Sequence, residues 1–425
     1  MFPFPSRPAA FPLMARVEVT FPRPRIEQLE RAVHTELARL PLPDLTGRRV
    51  MVTAGSRGIR DIVAILAATV TDLRARGAQV EVVAAMGSHG GGTAQGQRRL
   101  LEHLGITAES VGAPIVTSMD VVELGRTPGG LVAYCDRHAA TSDGILVVNR
   151  IKPHTAFADP FGSGLLKMVA VGLGKAPGAA QIHRQGPGQM ATAITHLAAV
   201  TLATGKVLGG LAILENAYDE TAQLVGVAPQ DFIRKEHELF VNARAMMPRL
   251  PVDDLDILMI DEIGKNYSGT GLDVNVIGRW RLPEVPEPTS PRIKRIVALR
   301  LSPQSEGNAQ GVGLADVITK RLAEAIDPVA TYINNLVSTY LQRAFIPITM
   351  PTDEDAIALA LASLSLPDPI GARMARIHNT LHLDEVWLSE PLLADVRGRP
   401  GIRTEPPRPL QFTPEGMLAD LAHDG

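Results

Sequence analysis

Apolar and polar positions alternate in two registers along the first half of the chain. A period near 3.6 over 26–40 predicts an amphipathic helix, and the solid apolar run RVMVT at 49–53 predicts a buried strand. The loop AGSRGIRD and an amphipathic helix over 59–76 follow. The plan then repeats as strand 79–86 (QVEVVAAM), loop GSHGGGTAQ and helix 96–104. Such alternation predicts a parallel sheet with helices on its faces. Further strands are expected at 145–148, where the run ILVV stops at Asn149 and Arg150, and at 206–215 (KVLGGLAILE). The helix-like stretch QDFIRKEHELFVNARAMM closes this region near Met247.

Ligands of parallel sheets sit at the carboxyl ends of the strands. That rule puts Arg57, His89 and His154 on one rim, each just after a predicted strand. The tract PRLPVDD interrupts both helix and strand and marks a boundary. Beyond it come strand 256–260, a connector PEVPEPTSPR, strand RIVALRLS, helix ITKRLAEAI, strand IPITM and helix DEDAIALALASL. The reading is a two-domain α/β protein with mainly parallel sheets flanked by helices. Residues 1–250 form the first domain, opening with a proline-rich, strand-like arm, and 251–384 form the second. The tail 385–425 has too little periodicity for a domain and is expected to pack back on the first.

Composition narrows the possible partners. With 425 residues, 45% of them hydrophobic, the chain can bury a large core. A net charge of −3 argues against nucleic acid or an anionic membrane. No run of eighteen apolar residues appears, and prolines interrupt the start where a signal peptide needs a continuous apolar helix, so a cytoplasmic protein is expected. The single cysteine, Cys135, excludes an internal disulfide and cysteine-rich metal sites. Any metal must be held by histidine, carboxylate or a cofactor.

The stretch from Asn149 to His183 offers His154, Lys167 and His183 among closely spaced glycines, where backbone and side chains can both approach a ligand. Upstream, VTAGSRGIRD resembles the cofactor loop of short-chain dehydrogenases. Ala54 and Arg60 stand where that family has glycine, and no tyrosine has a lysine four residues later. Arg57 reads as an anion clamp at a helix start or as an exposed loop arginine. His89 lies in GSHGGGT, a loop flexible enough to fold over a ligand, although a lone histidine is more often a surface or core residue. GLGK at 172–175 has a phosphate-loop flavour but lacks Walker spacing, and Ala176 replaces the magnesium-binding hydroxyl. His378 and His382 lack the glutamate of a zincin and are expected on a solvated helix face.

Eight segments in chain order, GSRGI, MGSHGGGTAQGQ, NRIKPHT, SGLLKM, GLGKAPGA, IH, GKNYSGTGLD and GNAQGVGLADV, resemble the lactate racemase family of nickel-pincer-nucleotide-dependent 2-hydroxyacid racemases and epimerases. The resemblance implies an active site in the cleft between two α/β domains. It also implies that Lys167 is the lysine covalently tethered to the cofactor, that His183 is the protein ligand of nickel, and that His89 and His154 are the acid/base pair. Arg57 matches the arginine at the cofactor and substrate site, with Ser56 beside it on the cofactor. Lys265 and Glu262 fall at substrate-contacting positions of the second domain. Cofactor maturation enzymes and a small 2-hydroxy acid are the implied partners.

The residue types suit that chemistry. A C–H beside an ionised carboxylate is very weakly acidic, and moving a hydride avoids the carbanion. Two groups with pKa near neutrality are then needed for the hydroxyl proton, which histidine supplies without large tuning. The sequence also departs from the family pattern. The segment TAFADPFGSGLL between His154 and Lys167 is longer and lacks a GGRK-like signature, Ala54 replaces an acidic residue, and Glu262 replaces a neutral amide. A carboxylate near the substrate's own carboxylate is unfavourable unless the substrate carries a donor there. The expected substrate is therefore a larger or polyhydroxylated 2-hydroxy acid rather than lactate. An NAD(P)-dependent oxidoreductase and a non-catalytic nucleotide- or metal-binding protein are the alternative readings.

Overall fold

The structure is a computed structural model and describes residues 8, 10–155, 162–282 and 285–419. Part of TAFADPFGSGLL, part of the N-terminal arm and two residues of PEVPEPTSPR lie outside the described residues. The chain divides into two compact units, one formed by Pro22–Met247 and the other by Met1–Phe21 with Pro248–Gly425.

Strand β1 (Met14–Val19) precedes the Pro22–Met247 unit, which holds β2 (Arg49–Ala54), β3 (Gln79–Ala84), β4 (Ile115–Val116), β5 (Val121–Arg126), β6 (Val132–Asp136), β7 (Gly144–Arg150), β8 (Val207–Glu215) and β9 (Thr221–Val227). Six of these form a sheet in the order β4-β3-β2-β7-β8-β9, parallel except for β9. Its central strands are apolar on both faces because both are covered, as in parallel sheets generally. The helices Leu29–Ala38 and Ile62–Ala75 pack Val33, Leu37, Leu66, Val70 and Leu73 into one core with Val50, Val52, Val80 and Val82. The antiparallel hairpin β5-β6 and the helix Met190–Leu202 carry no strong periodic signal and escape the sequence reading.

The ladder between β2 and β7 ends at the pair Val52 and Leu146. One residue further on, the buried Thr53 hydroxyl takes its place, donating to the Val148 carbonyl at 3.2 Å and accepting from the Val148 N–H at 2.9 Å. The polar side chain satisfies backbone groups where the strands separate. That separation opens the carboxyl edge of the sheet, where the loops after β2, β3 and β7 leave side by side.

The other unit contains β10 (Asp254–Ile263), β11 (Arg292–Leu301), β12 (Val317–Thr319), β13 (Ile348–Met350), β14 (Met374–Ile377), β15 (Glu385–Ser389) and β16 (Ile402–Thr404). With β1 they form an eight-stranded sheet in the order β13-β12-β11-β10-β14-β15-β1-β16. The first five run parallel, and the remainder alternate antiparallel. Two expectations are corrected here. The N-terminal arm belongs to this sheet rather than to the first domain, and the 385–425 segment supplies β15 and β16 beside β14 and β1 instead of packing back on the first domain. The physical reason is edge pairing: β14 and β1 have backbone groups that only β15 and β16 satisfy, and Val386, Trp387 and Leu388 of β15 are buried by it.

Deleting residues 385–425 should therefore unfold the eight-stranded unit. Circular dichroism and limited proteolysis of the truncated chain would check it; a truncated protein melting as the full chain does would contradict the pairing.

Candidate functional site

Three loops from adjacent parallel strands bring the rim residues together. Strand β2 runs into Gly55, Ser56 and Arg57, β3 leads to His89, and β7 leads to His154. Ser56 is half-buried and Arg57 is solvent-accessible. Protein around the Arg57 head group and the like charge of Arg150 lower its pKa. Arg150 is itself answered by an ion pair to Glu215, whereas no hydrogen bond or ion pair engages Arg57 among the described residues.

The loop carrying His89 is fastened rather than loose. His89 Nδ1 lies 2.8 Å from the Met86 carbonyl, and donating there leaves Nε2 as the basic nitrogen of the neutral ring. Two glycines allow the tight path: a Cβ on Gly90 would sit 2.5 Å from Gln97 N, and one on Gly96 only 1.8 Å from the Gly90 carbonyl oxygen. Gln97, fully buried, donates from Nε2 to the Gly87 carbonyl at 2.9 Å. Its Oε1 accepts from Lys175 Nζ at 3.2 Å, and that amine also donates to the Ala84 carbonyl and pairs with Asp136 at 3.1 Å. Lys175 is wholly enclosed. The lysine of GLGK thus ties the end of β3 and the His89 loop to β6, and has no access to a phosphate.

Lys167 and His183 lie in one helical stretch. A short helix Leu165–Lys167 passes into a π-turn at Met168–Gly172 and then into the helix Lys175–His183. Wide turns of this kind occur preferentially at functional positions. Lys167 Nζ is 2.6 Å from His154 Nε2. Burial, then the nearby charge of Arg57, pushes the Lys167 amine down to about 7 from an ordinary value of 10.5. Burial, then the charge of Lys167, lowers His183 as well. His183 Nδ1 is buried with no hydrogen-bond partner among the described residues. One segment therefore presents an amine with a substantial free-base fraction at neutral pH and an imidazole biased toward its neutral form, with a nitrogen unengaged among the described residues. Both ring-facing roles expected of Lys167 and His183 need those protonation states.

Sequence reasoning missed the residues under Lys167. Asn149 Nδ2 donates to the Gly164 carbonyl at 2.7 Å, and Glu236 Oε2 accepts from the Leu166 N–H at 2.8 Å. Glu236 comes from the helix Phe232–Met246, seventy positions later, and is buried. The only available signal was a glutamate at a core-facing position of an amphipathic helix.

Lys265 and Glu262 belong to the other unit, at the carboxyl end of β10. The Lys265 N–H donates to Ser305 Oγ at 2.9 Å, and the Tyr267 hydroxyl donates to Glu262 Oε1 at 2.5 Å. His378 and His382 occupy an exposed turn after β14, not the expected helix face, with the Tyr267 ring edge-on at 6.5 and 6.4 Å. Asn379 shapes that turn by accepting from the Leu381 and His382 N–H groups. Among the described residues no three of His, Cys, Asp and Glu gather where they could hold a metal, and no helix is long and apolar enough to cross a membrane.

Residues 44–191 match the family model described as the lactate racemase N-terminal domain. The match spans 44–191, about a third of the chain, and includes the motifs from GSRGI to IH on which the resemblance was drawn. Similar solved structures include the lactate racemase apoprotein from Thermoanaerobacterium thermosaccharolyticum, 13% identical with a TM-score of 0.49, covering 90% of this chain and 91% of that one. Another is a protein from Thermotoga maritima, 15% identical with a TM-score of 0.48, covering 80% of this chain and 84% of that one. No curated protein matches the sequence.

Two predictions follow from the electrostatics. Labelling of Lys167 by an amine-specific reagent, followed by peptide mass spectrometry, should rise with pH through a midpoint of about 7. Arg57→Ala should move that midpoint upward, since it removes a charge that opposes protonation; a native midpoint above pH 9 would contradict the environment described. Lys175→Met should destabilise the unit by roughly 3–5 kcal/mol in chemical denaturation, because it strands the buried Asp136 carboxylate.

Proposed function

We propose that the protein is a racemase or epimerase inverting C2 of a 2-hydroxy acid, with a nickel-pincer nucleotide held by Lys167 and His183. The observation that carries this reading is the shared buried environment that favours the neutral forms of the Lys167 amine and the His183 imidazole within one helical segment. A free amine can form the covalent tether. A buried imidazole nitrogen without a partner costs free energy unless something coordinates it, which suits a single histidine ligand to nickel. When bound, the nucleotide would supply the acceptor and donor of the hydride.

The chain's own residues do the rest. His89, with Nδ1 occupied by the Met86 carbonyl, offers Nε2 as a base. His154 offers its Nε2, the nitrogen now in contact with Lys167. One takes the hydroxyl proton as the keto acid forms, and the other returns a proton after the keto acid reorients. Arg57, which no anion answers among the described residues, holds a carboxylate or phosphate, with Ser56 beside it on the nucleotide. Lys265 and Glu262 complete the set of residues proposed to contact the substrate. The work is cytoplasmic and depends on maturation enzymes that build the cofactor. The dehydrogenase alternative has less behind it, since Ala54 and Arg60 interrupt its glycine pattern.

Protein co-expressed with the maturation enzymes in nickel-containing medium should show a mass adduct on Lys167 and bound nickel. Lys167→Ala should abolish the adduct, while His183→Ala should keep the adduct and lose most of the nickel. An unmodified native mass with no nickel would overturn the reading. With loaded enzyme, polyhydroxylated acids such as gluconate should be epimerised faster than lactate; a clear preference for lactate over malate and gluconate would refute that part.

A further inference from the structure

The amine of Lys167 is useful only if it points to one place, and the backbone beneath it is short and weakly self-supporting. Its helix spans only Leu165–Lys167 before the π-turn. The first N–H groups of any helix have no partner within it, and the residue at its N-cap, Gly164, has no side chain to supply one. Glu236 supplies it from elsewhere in the fold, accepting from the Leu166 N–H at 2.8 Å. The fit is close: a Cβ on Gly164 would lie 2.4 Å from Glu236 Oε1 and 2.5 Å from its carboxyl carbon. The glycine of SGLLKM is thus required by the carboxyl group packed against it. Asn149 holds the same peptide from the other side through the Gly164 carbonyl.

We propose that Glu236 is a positioning residue for Lys167, fixing the start of its helix so that the amine is delivered beside His154. It touches neither cofactor nor substrate and acts through the backbone of Leu166. The group is costly to keep there. It is fully buried, Oε1 has no hydrogen-bond partner among the described residues, and burial pushes its pKa up to about 7. A leucine would fill the volume without that cost but could not accept the N–H. An amine 2.6 Å from His154 Nε2 is sensitive to small shifts of its frame, and a displacement of about 1 Å in such a site can cost on the order of 100-fold in rate.

The inference rests on Lys167 being the reactive amine of the proposed function, and its test needs neither cofactor nor substrate. Trinitrobenzenesulfonate labelling of the full chain at pH 7.5, followed by peptide mass spectrometry, compares Lys167 with the exposed Lys320 as internal control. Glu236→Met keeps the bulk and removes the acceptor; Glu236→Gln keeps an acceptor oxygen. The Met variant, shown folded by its melting curve, should label Lys167 about ten-fold more slowly relative to Lys320, while the Gln variant should stay within about three-fold of native. Native-rate labelling in a folded Met variant overturns the proposal. If the Met variant does not fold, the Gln variant decides: native-like labelling sustains the acceptor role, and a loss of about ten-fold despite the retained oxygen overturns it. A native protein in which Lys167 labels no faster than Lys320 would refute the reading of Lys167 itself, which is a separate result.

Discussion

Burial, reinforced by like charges crowded into one small volume of the Pro22–Met247 unit, weakens proton binding at two groups. Arg57 opposes protonation of Lys167, and Lys167 opposes protonation of His183. Burial acts in the same direction on both, because taking a charge out of water disfavours the charged form. An amine must lose its proton to act as a nucleophile, and an imidazole nitrogen must lose its proton to bind a metal. A single physical cause therefore prepares both groups. The arrangement works against folding: between about pH 7 and 10.5 the unfolded chain binds a proton that the folded Lys167 refuses, so this group makes stability rise with pH across that window.

Two lysines eight residues apart show how the fold separates structure from chemistry. Lys175 has a carboxylate partner in Asp136, two oxygen acceptors and no solvent exposure, so it serves as a fastening between β3, β6 and the His89 loop. Among the described residues Lys167 has a histidine and no acid, and it is only half-buried. The first is a compensated buried charge. The second is held with its charge weakened. Both sit in glycine-rich, apolar sequence, and their difference comes from residues far away in the chain, Asp136 for one and Arg57 with Glu236 for the other.

That contrast measures how far the sequence is legible. The strands β2, β3, β7 and β8 could be read because buried parallel strands are unbroken apolar runs, and the rim placement of Arg57, His89 and His154 followed from strand order alone. The side of the second sheet from β14 to β16 could not be read. Strand β14 is four residues long, β16 three, and the partner of β15 and β16 is the N-terminal β1, nearly four hundred positions away. Short strands carry little periodic signal, and their apolar content only makes sense once the partner is known. The turn at His378–His382 misled for a related reason, since an i,i+4 spacing has a helical meaning only inside a helix. Glu236 was hidden because a buried carboxyl group looks like any other helix glutamate until the N–H it accepts from is located.

Under the proposed function, a second carboxylate from an acid substrate would repel Glu262 at the end of β10, which raises the question of what would tolerate it there. Its own unit gives part of the answer, since the Tyr267 hydroxyl donates to Oε1 and burial together with Glu262 raises the pKa of that tyrosine, which keeps the donor protonated. A carboxylate has about four lone-pair sites, so one phenolic donor leaves most of its accepting capacity to be filled. Water can fill it when the group is open, but a ligand that displaces water must bring donors of its own or pay the desolvation of an under-bonded charge. Lactate has a single hydroxyl, which the proposed chemistry assigns to His89 or His154. A substrate with further hydroxyls along its chain has donors to spare, and discrimination of this kind is strong because a site built to accept hydrogen bonds rejects molecules that cannot give them.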